Sequence, residues 1–399
     1  MSGPRPVRFG FVGTGWMGTT MLRRLTEHPC AQVVSVFEPN VRKAREALAQ
    51  VAVPDLPVAA TYEELVEDAS IDAVFLCGPN GTHGSQSIAA LEADKHVFCE
   101  KPPSIRFDEH LRQVELARAR PHLTTYVDYI LYFDEFEQRL RRMVADGAFG
   151  TVTQIQVNYR HSINTSGDRG WKLQRSVMGD AIGMGINHGI SVMLFAMQPQ
   201  AKPAAVYATS LRALNRPFEA HPVWNIQVSF DSGACGFLFG DIDSPYGYDA
   251  FHSIQGTSGA LVFDSFADRS RKVRQWMTPE VGGRSAAGGA QGAGRWIYPL
   301  DTERCRAEGV TPWPEDTTTP DSGNVLEHQT GQSVAHFIEC VQAGKRSPLG
   351  FDGAAQVAEV GWAAQISAVT GEAVQLPLDS ERTLALIARH PESFVVGSR

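Results

Sequence analysis

Lys101 is the residue of this chain best placed to move a proton. It lies in Glu100-Lys101-Pro102, directly after the apolar run His96-Val97-Phe98-Cys99, which reads as a buried strand. Open α/β sheets bind their ligands at the carboxyl ends of strands. An ammonium held there can exchange a proton with a substrate hydroxyl once its pKa is lowered. Taken alone, the tripeptide could close any strand. Its meaning comes from a second motif upstream, Gly13-Thr14-Gly15-Trp16-Met17-Gly18. This is G-x-G-x-x-G, following one strand and opening a helix, the context in which such a loop binds a dinucleotide. Two glycines permit a tight turn and close approach to a pyrophosphate, and the third lets helix and strand pack. The helix N-terminus offers unpaired N–H groups to the phosphates.

Glu38 ends the next strand, 20 residues beyond Gly18. A carboxylate there accepts hydrogen bonds from the adenosine ribose and repels a 2′-phosphate, so NAD is expected in preference to NADP. Arg42 and Lys43 argue the other way, since either could reach a 2′-phosphate. Alternatively, Glu38 would be a solvated carboxylate at a strand end.

The elements that position these groups follow from periodicity. Val7–Val12, 33–37, 71–77 and 96–100 read as buried strands. Helices fall between them at 16–28, 41–50 and 85–93, and Thr61 reads as the N-cap of another. This βαβ alternation predicts an N-terminal Rossmann domain, a doubly wound parallel sheet spanning residues 1–125. A helix at 133–146 then precedes a change of rhythm. Ile155, Val157 and Tyr159, and later Trp224, Ile226, Val228 and Phe230, alternate with polar residues. Residues 126–399 are therefore expected to form an α+β domain on an open, largely antiparallel sheet. The Gly/Ala-rich stretch 281–294 reads as a mobile surface insertion and 311–320 as a loop.

Composition narrows the function classes. The chain has 399 residues, enough for two domains, with 43% hydrophobic and 20% charged residues, as in globular proteins. A net charge of −8 argues against nucleic-acid or anionic-membrane surfaces. No apolar run is long enough to span a bilayer, and the start lacks a signal-peptide pattern, so a cytoplasmic location is expected. The six cysteines are dispersed and read as reduced. No Cys/His spacing suggests a metal site.

With these pieces in place, the chain resembles the Gfo/Idh/MocA family of nicotinamide-dependent oxidoreductases. The resemblance rests on Gly13 to Gly18, Cys77-Gly78-Pro79-Asn80-Gly81-Thr82-His83, the run Ala90 to Pro102, and Asp146-Gly147-Ala148-Phe149-Gly150-Thr151-Val152. Phe337 to Val341 and Leu376-Pro377-Leu378 add the C-terminal helices and closing strand. The resemblance implies that Pro79, Asn80 and His83 lie along the cofactor, with Glu100 and Lys101 near the nicotinamide. It implies a lysine acid/base acting on a sugar, cyclitol or related polyol. It also implies a homodimer or homotetramer assembled through the open sheet.

One motif departs from the family. Members usually carry D-x-G-x-H in the second domain, its Asp and His facing the lysine. Here the stretch is Gly179-Asp180-Ala181-Ile182-Gly183-Met184-Gly185-Ile186-Asn187-His188. One register puts Gly183 at the Asp and Asn187 at the His; the other puts Met184 and His188 there. The Asp is missing in both. Asp180 either approaches the pocket or caps the helix. Asn187 could orient a hydroxyl, and His188 could also titrate. Tyr129, in Asp128-Tyr129-Ile130, and Arg160, Trp171 and Lys172 are further candidates for the substrate pocket.

The expected activity is an NAD-dependent hydride transfer at a carbinol or carbonyl carbon of a sugar, glycoside or cyclitol. Lys101 handles the proton, helped by His188 or Asn187. A redox-neutral enzyme with retained NAD, or a non-catalytic sensor of NAD and sugar, are the alternatives.

Overall fold

Apolar runs too short for helices and bounded by turn residues build the first sheet. The computed structural model describes residues 5–213, 215–245, 249–263, 273–277, 295–297, 302–307, 312 and 329–397. The stretch 281–294, and 311–320 apart from Pro312, lie outside the described residues. In chain order come β1 (Val7–Val12), α1 (Trp16–Glu27), β2 (Ala31–Phe37), α2 (Val41–Gln50) and α3 (Tyr62–Glu67). Then follow β3 (Ala73–Leu76), α4 (Asn80–Glu92), β4 (His96–Cys99), α5 (Phe107–Ala119) and β5 (Thr125–Val127). All five strands run parallel in the order β2-β1-β3-β4-β5.

Local chemistry fixes the helix starts. The Asn40 side chain accepts from the Lys43 N–H at 3.1 Å and caps α2. Thr61 caps α3 through the Glu64 N–H at 3.1 Å, with Glu63 and Glu64 in the first turn. Helix α4 begins at Asn80, one turn before the start its apolar pattern suggests. Its first turn, Asn-Gly-Thr-His, is polar because it faces other backbone rather than the hydrophobic core.

The register aligns Val12, Leu76, Cys99 and Val127 across the sheet. The residues just past them therefore share one edge: the glycine loop, the Gly78-Pro79 turn, Glu100-Lys101 and Asp128. Beneath that edge Phe11, Phe75, Phe98 and Tyr126 stack across four strands, with centroids 5.2, 3.8 and 4.6 Å apart.

After a 3₁₀ turn at Ile130–Phe133, Asp134 caps α6 (Glu135–Ala145), the helix expected at 133–146. Next come β6 (Val152–Arg160), α7 (Arg175–Met178), α8 (Asn187–Met197), β7 (Pro203–Leu211), β8 (Val223–Phe230) and β9 (Cys235–Asp241). The order continues with β10 (His252–Gly256), β11 (Gly259–Phe263), β12 (Val273–Met277), β13 (Arg295–Ile297) and α9 (Thr302–Ala307). It ends with α10 (Thr330–Ala343), α11 (Ala355–Thr370), β14 (Val374–Gln375) and α12 (Ser380–Arg389).

Among the described residues nine strands form the second sheet, and every pairing is antiparallel except β6 with β9. On β8, Trp224, Ile226, Val228 and Phe230 are buried, while Asn225, Gln227 and Ser229 are exposed. The buried face is covered by α8, itself almost wholly buried, and by α11.

Helix α10 returns to the first sheet, where Phe337 meets Phe9 at 6.2 Å and Phe98 at 5.6 Å. A division at 125/126 would cut β5 and separate α10 from the sheet it covers. We infer a first domain of residues 5–129 completed by α10. No helix among the described residues is long and apolar enough to cross a membrane. Cys30, Cys77, Cys99, Cys235 and Cys340 are free thiols.

Candidate active site

The glycine loop has the shape of a phosphate cradle. Gly13 has φ of +86°, and a Cβ there would sit 2.6 Å from the Cys77 carbonyl oxygen. A Cβ on Gly18 would lie within 2.1 Å of the Gly13 carbonyl oxygen, so the loop and α1 touch directly. At Gly15, by contrast, a Cβ would meet nothing within 4 Å. The second glycine thus faces open space at the N-terminus of a 12-residue helix, which fits a pyrophosphate. Trp16 beside it is 56% exposed, and Met17 is partly buried against the core.

Glu38 is held beside this loop. Its carboxylate accepts from the Thr14 N–H at 3.0 Å and from the Asn40 N–H at 3.3 Å. Its remaining lone pairs suit ribose hydroxyls and would repel a 2′-phosphate. Arg42 is engaged along its own helix with Glu46 at 3.3 Å.

The α4 turn braces the site. Pro79 is the exposed N-cap, while Asn80 and His83 are buried. Asn80 Nδ2 donates to the Met178 carbonyl at 2.9 Å and so ties α4 to α7. His83 lies between the Pro102 carbonyl, 2.8 Å from Nδ1, and the Gly78 carbonyl, 3.0 Å from Nε2. Burial pushes its pKa down, so the ring is neutral and donates to one of them. The sequence suggests cofactor contacts for Asn80 and His83; in the structure their polar atoms serve backbone carbonyls, because both side chains are buried.

At the end of β4, Lys101 Nζ donates to the Met184 carbonyl at 2.7 Å, across the interface between the two sheets. Burial lowers its pKa, against the opposing pull of Glu100 and Asp128. Glu100 is buried, and its Oε2 accepts from the Lys101 N–H at 3.2 Å. Burial and the Asp128 charge raise the Glu100 pKa, and burial also raises that of Asp128. Each carboxyl also senses the other and the Lys101 charge. Asp128 is further fixed by the Ser333 hydroxyl at 2.8 Å, which links α10 to the site. Sequence reasoning did not select Asp128. Its signal was position alone, as the first residue after the strand next to that of the lysine.

The second domain meets this lysine through a π-helical turn at Ile182–Ile186, a form frequent at functional sites. A Cβ on Gly183 would lie 3.0 Å from Pro102 Cγ, so the position leaves little room for the aspartate of the family motif. Asp180 acts as a cap: its Oδ1 accepts from the Gly183 N–H at 2.9 Å. Asn187 Nδ2 donates to the Gly183 carbonyl at 3.2 Å, while its buried Oδ1 has no partner among the described residues. The His188 ring lies 5.4 Å from that of Tyr159. Lys172 is partly buried, with Nζ 5.8 Å from the centre of the Trp171 ring. Its pKa is pushed down to about 8 by burial and by the charge of Lys101.

Two substrate candidates make structural contacts instead of facing an open space. Tyr129 is buried, edge-on to Phe195 at 6.4 Å, and belongs to the core. Arg160 Nε donates to Asp249 at 2.6 Å; that carboxylate is wholly buried and requires a counter-charge. Trp171 packs against the main core from a partly buried position.

Residues 7–129 match the family described as "Oxidoreductase family, NAD-binding Rossmann fold" (GFO_IDH_MocA). Residues 138–262 match the GFO/IDH/MocA C-terminal domain. The chain is 25% identical over 260 residues to the uncharacterized oxidoreductase YrbE of Bacillus subtilis, covering 64% of this chain and 73% of that protein. It is 25% identical over 300 residues to myo-inositol 2-dehydrogenase of Thermotoga maritima, covering 70% and 80%. A solved levoglucosan dehydrogenase, in complex with NADH and levoglucosan, shares the fold with a TM-score of 0.73 and 20% identity. That match covers 94% of this chain and 100% of the other.

Proposed function

The chain belongs to the Gfo/Idh/MocA oxidoreductase family, and on that premise we propose that it is an NAD-dependent dehydrogenase of a sugar, glycoside or cyclitol, with Lys101 as general acid and base. The observation that carries this reading is the Lys101 ammonium. It is buried enough for its pKa to fall, stands at the carboxyl edge of the sheet, and reaches the second domain through Met184.

Bound NAD supplies the acceptor for the hydride that leaves the substrate carbinol carbon. Lys101, as the neutral amine, takes the hydroxyl proton; as the ammonium it returns that proton in the reductive direction. Glu100 and Asp128 oppose the effect of burial on the lysine pKa. Asn187 Oδ1 is the free acceptor that would orient the hydroxyl. His188 stands beside it as the second polar group. Relatives that match this chain include inositol 2-dehydrogenases, which supports a cyclitol or sugar substrate. We place self-association on the outer face of the second sheet, where Tyr207 and Phe239 are 43% and 38% exposed.

A panel of cyclitols, sugars and glycosides, each incubated with NAD or NADP and followed at the NADH absorbance band, tests the reading. The expected result is NADH formation with at least one member and a clear preference for NAD. Conversion of substrate with no net NADH would instead identify a redox-neutral enzyme. No turnover across the panel, despite tight NAD binding, would point to a sensor.

A further inference from the structure

The 3₁₀ segment Gly167–Leu173 follows β6 in the second domain, yet its side chains reach the first domain in a telling order. The Asp168 carboxylate meets Lys43 Nζ at 3.3 Å, on α2 just beyond Glu38. The Arg169 guanidinium lies 5.5 Å from the centre of the Trp16 ring, at the start of α1 beside the open Gly15. Lys172 feels the charge of Lys101 at the end of β4. The segment thus passes the ends of β2, β1 and β4 in turn. A dinucleotide on this edge runs the same way, from the ribose at Glu38, past the glycine loop, to the lysine.

Charge and burial add to this. None of the seven residues is buried. Among the described residues neither Arg169 nor Lys172 makes an ion pair, so two cations line the track of a dianionic pyrophosphate. The segment is tied down at its far end, where Asn80 holds the Met178 carbonyl at 2.9 Å and the Glu219 carboxylate takes the Arg175 N–H at 2.8 Å. At its near end Lys43 and Asp168 pair across the two domains through side chains that are 34% and 70% exposed. Exposed pairs of this kind are weak.

We propose that Gly167–Leu173 is a strap forming the outer wall of the cofactor cleft, and that Arg169 is a pyrophosphate-binding residue contributed by the second domain. The inference rests on the reading of the glycine loop as the NAD site. Arg169 supplies a charge-assisted hydrogen bond from the side opposite the α1 N-terminus. Trp16 holds its guanidinium plane in place when the site is empty. Dinucleotide exchange then requires the strap to lift and the Lys43–Asp168 latch to open.

The test is NADH binding to the intact chain, by fluorescence titration and by stopped-flow displacement, with no substrate present. Arg169→Ala should weaken NADH binding roughly tenfold to a hundredfold, the loss expected for a hydrogen bond to a charged group. Arg169→Lys should recover part of that loss. Asp168→Asn should speed NADH release while leaving affinity within about threefold, since an exposed pair contributes little to equilibrium binding. ADP-ribose, which keeps the pyrophosphate and lacks the nicotinamide, should lose affinity in Arg169→Ala as NADH does. Affinity and release within twofold of wild type in both variants, with melting temperatures unchanged, would overturn the proposal while leaving the NAD site intact. Failure of the wild-type chain to bind NADH would overturn the cofactor reading as well. Should Arg169→Ala melt early, release from Asp168→Asn decides: faster supports the strap, unchanged overturns it.

Discussion

Gly183→Ala should loosen the contact that seats the lysine. Gly183 and Met184 oppose Pro102 and Lys101 in one four-residue contact between the domains. A Cβ at 183 would lie 3.0 Å from Pro102 Cγ and 3.3 Å from its Cβ, about 0.4 Å inside ordinary van der Waals contact at the closer atom. Neither a proline ring nor a helix backbone can swing aside, so the two chains must part. The Lys101–Met184 hydrogen bond, 2.7 Å long, would stretch toward about 3.1 Å, near the end of the useful range. Overpacking of this kind costs about 1–3 kcal/mol of stability. The effect on turnover should exceed its effect on binding. A misplacement of about 1 Å can cost 10²-fold, so 0.4 Å scales to roughly a fivefold to tenfold loss in kcat. Steady-state kinetics on the best substrate of the panel, beside NADH titration and urea unfolding, would resolve the three effects. Unchanged kcat, or a loss of NADH affinity as large as the loss in kcat, would refute the wedge argument. Gly183→Asp carries the same Cβ plus a carboxylate, so it should fall further rather than gain the family's activity.

Other outcomes follow from the same geometry. Gly15→Ala should leave unfolding unchanged and weaken NADH binding, whereas Gly18→Ala, 2.1 Å from a carbonyl oxygen, should destabilise the fold itself; urea midpoints and NADH titration separate the two. In the oxidative direction the rate should rise with pH as Lys101 loses its proton, below the ordinary lysine value of 10.5. Asp128→Asn removes a charge that raises the Lys101 pKa, so this limb of the pH–rate profile should move to lower pH. Far from the site, burial pushes His252 down, but Glu137 at 2.9 Å and Asp134 outweigh it and the pKa is raised. Its stabilising contribution should be complete below the ordinary value of 6.5 and fade as pH rises through the folded value. His252→Gln should flatten that dependence in urea unfolding measured from pH 5 to 8.

The sequence carried most of the first domain. Buried strands read as apolar runs, caps such as Asn40 and Thr61 have their own chemistry, and the glycine loop announces its context. The start of α4 was less legible, since Asn80 and His83 are buried by backbone contacts that hydrophobic periodicity does not register. β7 was missed because Ala204, Ala205, Ala208 and Ser210 give weak alternation. In the site, Lys101 was visible from its place after a strand, but Asp128 and Ser333 lie far apart in the chain and meet only through the fold. Tyr129 looked like a pocket residue because it follows β5; only packing against Phe195 reveals it as core. The missing aspartate was visible in sequence, while its physical correlate, the close approach of Gly183 to Pro102, needed three dimensions.

Lys101→Met tests the central claim most directly. Turnover with the best substrate and NAD, measured beside NADH affinity on the same preparation, should fall about 10²- to 10⁴-fold, the range for loss of a positioned acid/base. NADH affinity should stay within a few fold, because the cradle at Gly15 and Glu38 is untouched. Wild-type turnover in Lys101→Met would contradict the account.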